Sequence, residues 1–440
     1  MNRGSGDGPG GGPGDGYGDG YGDGARGRKG SEGGGGRKGS EGGGGREGRE
    51  GGGGEVGGGR EGRGGVNLPA LRGHNEALLL DLLRGAGPTG LGRAELATRT
   101  GLTPQAVSKI TARLGAEGLL AEAGRAASTG GKPRTLLRLA PQARHAVGVH
   151  LDRDELRAVR VDLAGTVLAA SGGPLDFAAG PAEAVEAVVR VVARVADPAG
   201  PPLLGVGVAA PGPLDHRTGV MGRVTGFPGW EGFPLREVLR RRLGLPVLLD
   251  KDTNAGAAGA GAGAGVGPGA AGAVTGRGGS QAGLPGAGAS GAAPRTSVYL
   301  HVGTGLGAGL RLGGRVYRGT RSTAGEFGHQ VLLLDGPPCR CGARGCAEVL
   351  CLAAVARGDL PEAARILGEG AANLVALLDV DDVLLGGRVV AAAPEAFVSG
   401  VRAVLTARAL TPDPPTVSLA PRGVAEGAAE LALSPFFDHT

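Results

Sequence analysis

Apolar residues along this chain fall into two kinds of run. Short runs with the period of a strand include "AVGVHL", "LRAVRVDL", "LLGVGVAAPG", "PVLLD", "SVYLHVG" and "AGLRLGG". Longer stretches with helical spacing cover 181–196, 235–243, 361–378 and 395–409. Hairpins followed by crossover helices predict a mixed-sheet α/β domain, repeated twice. Two tracts break the pattern. Residues 1–65 are low in complexity, with "RKGSEGGGG" at 28–36 and again at 37–45, and are expected to be a disordered tail. Residues 255–294 read as a surface loop enlarged by insertion, with a short Ala-rich helix at its start.

Ahead of the α/β pattern, residues 72–140 predict three helices and a hairpin. "NEALLLDLLR" places leucines on one face with Asn75 as a cap, and "GRAELATRT" supplies a second helix starting near Leu91. Gly101 occupies a tight turn, with Leu102 beneath it. Thr103 and Pro104 then start a third helix with a capping hydroxyl and a proline at its first position. Val107, Ile110 and Leu114 are its expected buried face. Gln105, Ser108, Lys109, Ala112 and Arg113 point outward, as the reading side of a recognition helix would. A glycine-turned hairpin follows and offers Arg125, Lys132 and Arg134 as a wing. The alternative is an interaction module with a solvated basic face.

Charge weighs on that choice. The net charge is +5, yet residues 1–65 carry ten basic and ten acidic groups and cancel. Residues 66–140 carry ten basic groups against five acidic, so the whole excess sits in the winged helix-turn-helix, as DNA binding requires. Glutamine can pair with adenine, and lysine reaches guanine edges or phosphate. The chain is 440 residues long, which suits two or three domains. Aromatics make up 3%, so the core must be built from Ala, Val and Leu. There is no apolar run of membrane-spanning length and no secretory leader pattern. With four cysteines, this points to a reducing, cytoplasmic setting.

Candidate chemistry lies further along. "HVGTGLGAGLRLGG" sets Gly303, Gly305, Gly307 and Gly309 after a strand, either to bring backbone amides near a phosphate or simply as a glycine-rich hairpin. "GVGVAAPGPLD" is a second strand-to-glycine turn. "LDKDTNAGA" puts Asp252 and Asn254 just past a strand, where polar groups line crevices. "GEFGH" adds Glu326 and His329. "CRCGARGC" holds Cys339, Cys341 and Cys346, which on composition alone fit a metal site, a redox switch or chance crowding.

In this order the motifs resemble the ROK family, which joins bacterial sugar kinases with sugar-responsive repressors. The resemblance runs over about residues 70–440 apart from the inserted tract. It implies a winged helix-turn-helix at 66–140 followed by an actin-like (ribonuclease H-like) two-lobed sugar-kinase fold. The lobes would span 145–254 and 295–440, with a ligand cleft between them. It also implies that Asp252 stands where the kinases keep their base, and that Glu326, His329 and Glu348 contact sugar hydroxyls. Carboxylates suit that task because they accept paired hydrogen bonds. His329 would turn a ring nitrogen to Cys339, Cys341 and Cys346, completing a structural zinc site. Gly342 and Gly345 would allow the tight loop, and Cys351 would be a buried small apolar residue. "GVHLDRDEL" departs from the kinases' Asp-x-Gly-Gly-Thr phosphate loop. His150 stands for the aspartate, Asp152 and Arg153 for the paired glycines, and Asp154 for the threonine. Side chains then fill the space a phosphate needs, so no kinase activity is expected. Lys251, beside Asp252, either serves an acidic or phosphorylated sugar or points outward. The implied protein is a homodimeric repressor that binds operator DNA and senses a carbohydrate or sugar phosphate.

Overall fold

The computed structural model describes residues 68–125, 134–261 and 295–438. The expectations for the tail, for Lys132 and for most of the inserted tract fall outside them. The amino-terminal module consists of α1 (Leu68–Ala86), β1 (Leu91–Gly92), α2 (Arg93–Thr100), α3 (Pro104–Ala116), β2 (Leu120–Arg125) and β3 (Thr135–Leu139). The three strands pair antiparallel in the order β1-β3-β2 beside the three helices, an arrangement in keeping with the expected winged helix-turn-helix. Its core is Leu79, Leu83, Leu91, Leu96, Val107 and Leu137. Gly101 takes the left-handed conformation at φ 69°, and the Thr103 hydroxyl accepts from the Ala106 amide at 3.2 Å, so α3 starts as its sequence predicts. Two local expectations fail. Asn75 caps nothing, because α1 begins at Leu68 and carries Asn75 inside it. Leu91 belongs to a strand, paired with Leu137, and α2 starts at Arg93.

The body contains two sheets of the same design. The first holds β4 (His145–Leu151), β5 (Glu155–Asp162), β6 (Val167–Pro174), β7 (Leu203–Ala210) and, after the short pair β8 (Leu214–Asp215) and β9 (Val220–Met221), β10 (Val247–Lys251). The second holds β11 (Ser297–Val302), β12 (Leu306–Leu312), β13 (Arg315–Tyr317), β14 (Asp382–Gly386) and β15 (Thr416–Leu419). Their orders are β10-β7-β4-β5-β6 and β15-β14-β11-β12-β13. In each, three strands meander antiparallel and two more join in parallel on the far side of the first. Parallel neighbours need crossovers, supplied by α4 (Pro181–Val195) and α5 (Leu235–Leu243) in the first lobe. In the second they come from α7 (Ala347–Ala356), α8 (Leu360–Leu378), α9 (Arg388–Ala392) and α10 (Pro394–Ala407). Each lobe has its own apolar core on the crossover side.

The closing helices are exchanged. α6 (Asp252–Gly261) follows the last strand of the first sheet but packs on β11 and β12 of the second. α11 (Val424–Phe437) follows the last strand of the second sheet and lies across β4 and β7 of the first. Small residues permit this close layering. A methyl group at Gly148 or Gly207 would overlap the carbonyl oxygens of Ala425 and Ala428 in α11. α11 also carries the amino-terminal module: Ala425, Ala429, Leu433 and Phe437 share a core with Leu80, Leu114, Leu119 and Leu139. Arg84 of α1 donates to Glu430 at 2.6 Å and lies 4.6 Å from the centre of the Phe437 ring. Ile110 is half-buried rather than buried, and it packs against both this shared core and the module's own.

Candidate ligand cleft and thiolate cluster

Between the lobes lies a cleft that is partly open to solvent. Its walls are the β4–β5 turn, the Pro211–Pro213 segment after β7, the β10–α6 junction, the β11–β12 turn and the "GEFGH" segment. Asp252, Glu326, His329 and Glu348 all line it. Asp252 opens α6, and burial pushes its carboxyl above the usual range, only partly offset by His301. Glu348, in the first turn of α7, accepts the Leu306 amide at 2.9 Å, which fixes the β11–β12 turn against it. Lys251 does not point outward. It is 3% exposed, and its ammonium donates to Glu326 Oε1 at 2.9 Å and to the Ala324 carbonyl at 2.6 Å. Its charge is thus matched inside the protein. Asn254 lies outside the cleft. It is fully buried and donates to Asp250 at 2.7 Å, while Asp250 also holds Arg318 at 2.6 Å.

The two turns where a nucleotide's phosphates would need room are bonded to each other. Asp152 accepts from the Thr304 hydroxyl at 2.8 Å and Arg153 donates to the Thr304 carbonyl at 3.4 Å. Asp152 stays below the usual carboxylate range despite burial, because His150, the Arg153 amide and Thr304 favour its charged form. Asp154 turns away and pairs with Arg388 at 2.6 Å, so of the two carboxylates in this turn Asp152 lines the cleft and Asp154 does not. The glycines of the β11–β12 turn make a hairpin. Gly309 is seated directly on the Thr253 carbonyl, leaving no room for a side chain.

His329, Cys339, Cys341 and Cys346 converge, with their ligand atoms all within 4.8 Å of one another. Cys341 and Cys346 have sulfurs 3.7 Å apart, and Cys339 Sγ lies 3.8 Å from His329 Nδ1. A disulfide needs about 2 Å, whereas tetrahedral thiolates about 2.3 Å from one ion stand about 3.8 Å apart. The donor set and spacing therefore fit a metal ion. Gly342 and Gly345, both at positive φ, form the loop, and a side chain at Gly345 would strike the Leu333 backbone. Cys351 is buried away from the cluster, which pushes its thiol up to about 12.

On the amino-terminal module, Gln105, Ser108, Lys109, Arg125 and Arg134 are exposed. Arg113 is exposed too, but its guanidinium is paired with Glu76 of α1, which reduces what it can offer a phosphate. Sequence reasoning missed His301. It stands second from the end of β11, as His150 stands second from the end of β4, and the parallel "HLD" and "HVG" endings of the two first strands are the signal. The two rings meet edge to face with centroids 5.9 Å apart.

A model of the ROK family matches residues 288–357, the stretch holding the β11–β12 turn, "GEFGH" and the cysteines. The chain is 25% identical over 281 residues to a xylose repressor of Bacillus spizizenii, covering 62% of this chain and 65% of that one. It therefore spans just under two thirds of that relative's length. Among solved structures, a ROK family transcriptional regulator described as a homologue of the E. coli Mlc protein superposes with a TM-score of 0.64. The identity is 19%, over 84% of this chain and 98% of that one. A ROK hexokinase from Thermus thermophilus is 30% identical, over 65% of this chain and 97% of its own, with a TM-score of 0.48.

Proposed function

The chain belongs to the ROK family, and on that premise we propose that it is a DNA-binding transcriptional repressor whose affinity for its operator is set by a neutral sugar in the cleft. The observation that carries this reading is the placement of α11. One helix lies on the sheet beside the cleft, touches α6 behind Asp252, and holds the winged helix-turn-helix through Glu430 and Phe437. A ligand that draws the lobes together acts on the docking surface of the DNA-binding module. The shift in population between open and closed forms then changes operator affinity. Gln105, Ser108 and Lys109 read the major groove, and Arg125, Lys132 and Arg134 of the wing hold phosphates. A homodimer matches the two-fold symmetry of a palindromic operator.

The cleft favours a neutral sugar over a sugar phosphate. Asp152, Asp252, Glu326 and Glu348 stand against Arg153 and Lys251, an excess of two acidic groups, and Lys251 is already paired. Asp252, Glu326, His329 and Glu348 would accept from and orient sugar hydroxyls. A zinc ion held by His329, Cys339, Cys341 and Cys346 would pin "GEFGH" while leaving the other face of His329 to the cleft. The bonds between the β4–β5 and β11–β12 turns argue against phosphoryl transfer, which needs both turns free to cradle a nucleotide. Sequence-specific selection from random DNA, repeated with neutral sugars and sugar phosphates, tests the reading. A single palindrome should be enriched and then lost with one neutral sugar. Failure to enrich any site would overturn the repressor, and sugar-dependent ADP release would favour a kinase.

A further inference from the structure

Two ionisable groups at the base of the cleft, His150 and His301, have no part in the reading above, and they form a buried cluster with Asp152. His150, Asp152 and His301 are each more than nine-tenths buried, and each offers a ligand atom within 4.8 Å of the others. His150 Nε2 is buried with no hydrogen-bond partner among the described residues. An orphaned buried nitrogen of this kind needs an explanation, and an ion is one of the few that removes its desolvation cost. His301 is oriented from behind: its Nδ1 lies 3.1 Å from the Tyr299 hydroxyl, itself buried, which leaves Nε2 to face forward. A Cβ placed on Gly303 would fall 2.8 Å from His301 Nε2 and 3.6 Å from Asp152 Oδ2, so both atoms border the same spot. Glycine at 303 keeps that spot open.

We propose that His150, Asp152 and His301 bind a divalent first-row transition ion at the base of the cleft, separate from the thiolate cluster. Two imidazoles and one carboxylate are the donor set such ions take when positions must stay open for another ligand. Tyr299 is the outer group that fixes the ring of His301, as second partners of ligating histidines do. The two sites should differ in preference. Three thiolates and an imidazole select zinc, while this harder oxygen and nitrogen set also accepts manganese and cobalt.

The full chain, as purified with zinc at its cysteines, would be equilibrated with cobalt and then separately with manganese. One further cobalt per chain is expected, with visible d–d bands and no added thiolate-to-cobalt absorption in the near ultraviolet. His150→Asn and His301→Asn should each weaken that binding by more than the ~10- to 100-fold typical of outer-shell changes, with zinc content and thermal midpoint retained. Bound manganese in the unaltered chain should show electron–nuclear couplings to two imidazole nitrogens, a readout that needs no variant to fold. No metal uptake beyond the cysteine-bound zinc, no nitrogen coupling, or unchanged binding in both variants would overturn the proposal. None of these measurements involves DNA or sugar, so their failure leaves the repressor reading untouched.

Discussion

The two lobes repeat one strand order, and the turns after their first strands face each other across the cleft. In the second lobe that turn is Gly303–Thr304–Gly305, nearly bare of side chains; in the first it is Asp152–Arg153–Asp154. The same backbone position thus has opposite character in the two halves. The bare turn receives atoms from outside it: Asp152 and Arg153 reach across to Thr304, and Glu348 comes in from α7. The charged turn supplies them. Bare backbone turns can present their amides to an anion, whereas here one turn supplies side chains to the other and the pair forms a clasp between the lobes.

That contrast can be attacked at four points. The largest effect is expected at Gly207→Val, which forces a side chain into the backbone of α11. A loss of ~4 kcal/mol in urea unfolding, with the amino-terminal module becoming sensitive to proteolysis, would mark α11 as the first lobe's cover. Cys339→Ser or strong chelation acts on the second lobe. The thermal midpoint should fall by on the order of 10 °C, and metal analysis should show the loss of one zinc. Making the first turn as bare as the second, with Asp152→Gly and Arg153→Gly together, removes the bonds to Thr304. About 1–2 kcal/mol should be lost, and a coupled assay should detect no ATP turnover, since His150 and Lys251 still occupy the site; turnover would break the comparison. The smallest effect concerns the first residue of each central strand, His145 in one lobe and Ser297 in the other. Burial, then Arg160, lowers the pKa of His145 below the ordinary 6.5. The unfolded chain therefore binds the proton first, and stability should fall as pH drops through and below that ordinary value. His145→Gln should flatten this limb when urea midpoints are compared between about pH 7 and pH 5.

The central strands were readable because burial on both faces leaves unbroken apolar runs, and "LREVLRRRL" was readable to the residue because one face is solvated. Elements that lack such contrast were not. α11, "VAEGAAELALSPFF", is buried nearly all round and holds Pro435, so it has no stripe. α7, "AEVLCLAAVA", is apolar throughout. β6, "VLAASGGP", is an exposed edge strand with glycines where alternation would show. In the site, Glu326, His329 and the cysteines stood close in sequence and were legible together. The pairing of His150 with His301 joins the two lobes, and no local pattern reports a contact of that range. Lys251 was legible as unusual, but its partner Glu326 was not, because the bond depends on how two loops meet.

The exchange of α6 and α11 has a consequence for how this architecture can be cut and joined. Each sheet is roofed by a helix encoded in the other half, so a fragment ending at Lys251 would expose β4 and β7 along one whole face. Neither half is a unit that can be expressed, swapped or fused by itself, although strand order alone suggests two. The amino-terminal module is likewise seated on α11, which makes that helix, far from α3 in sequence, part of its foundation.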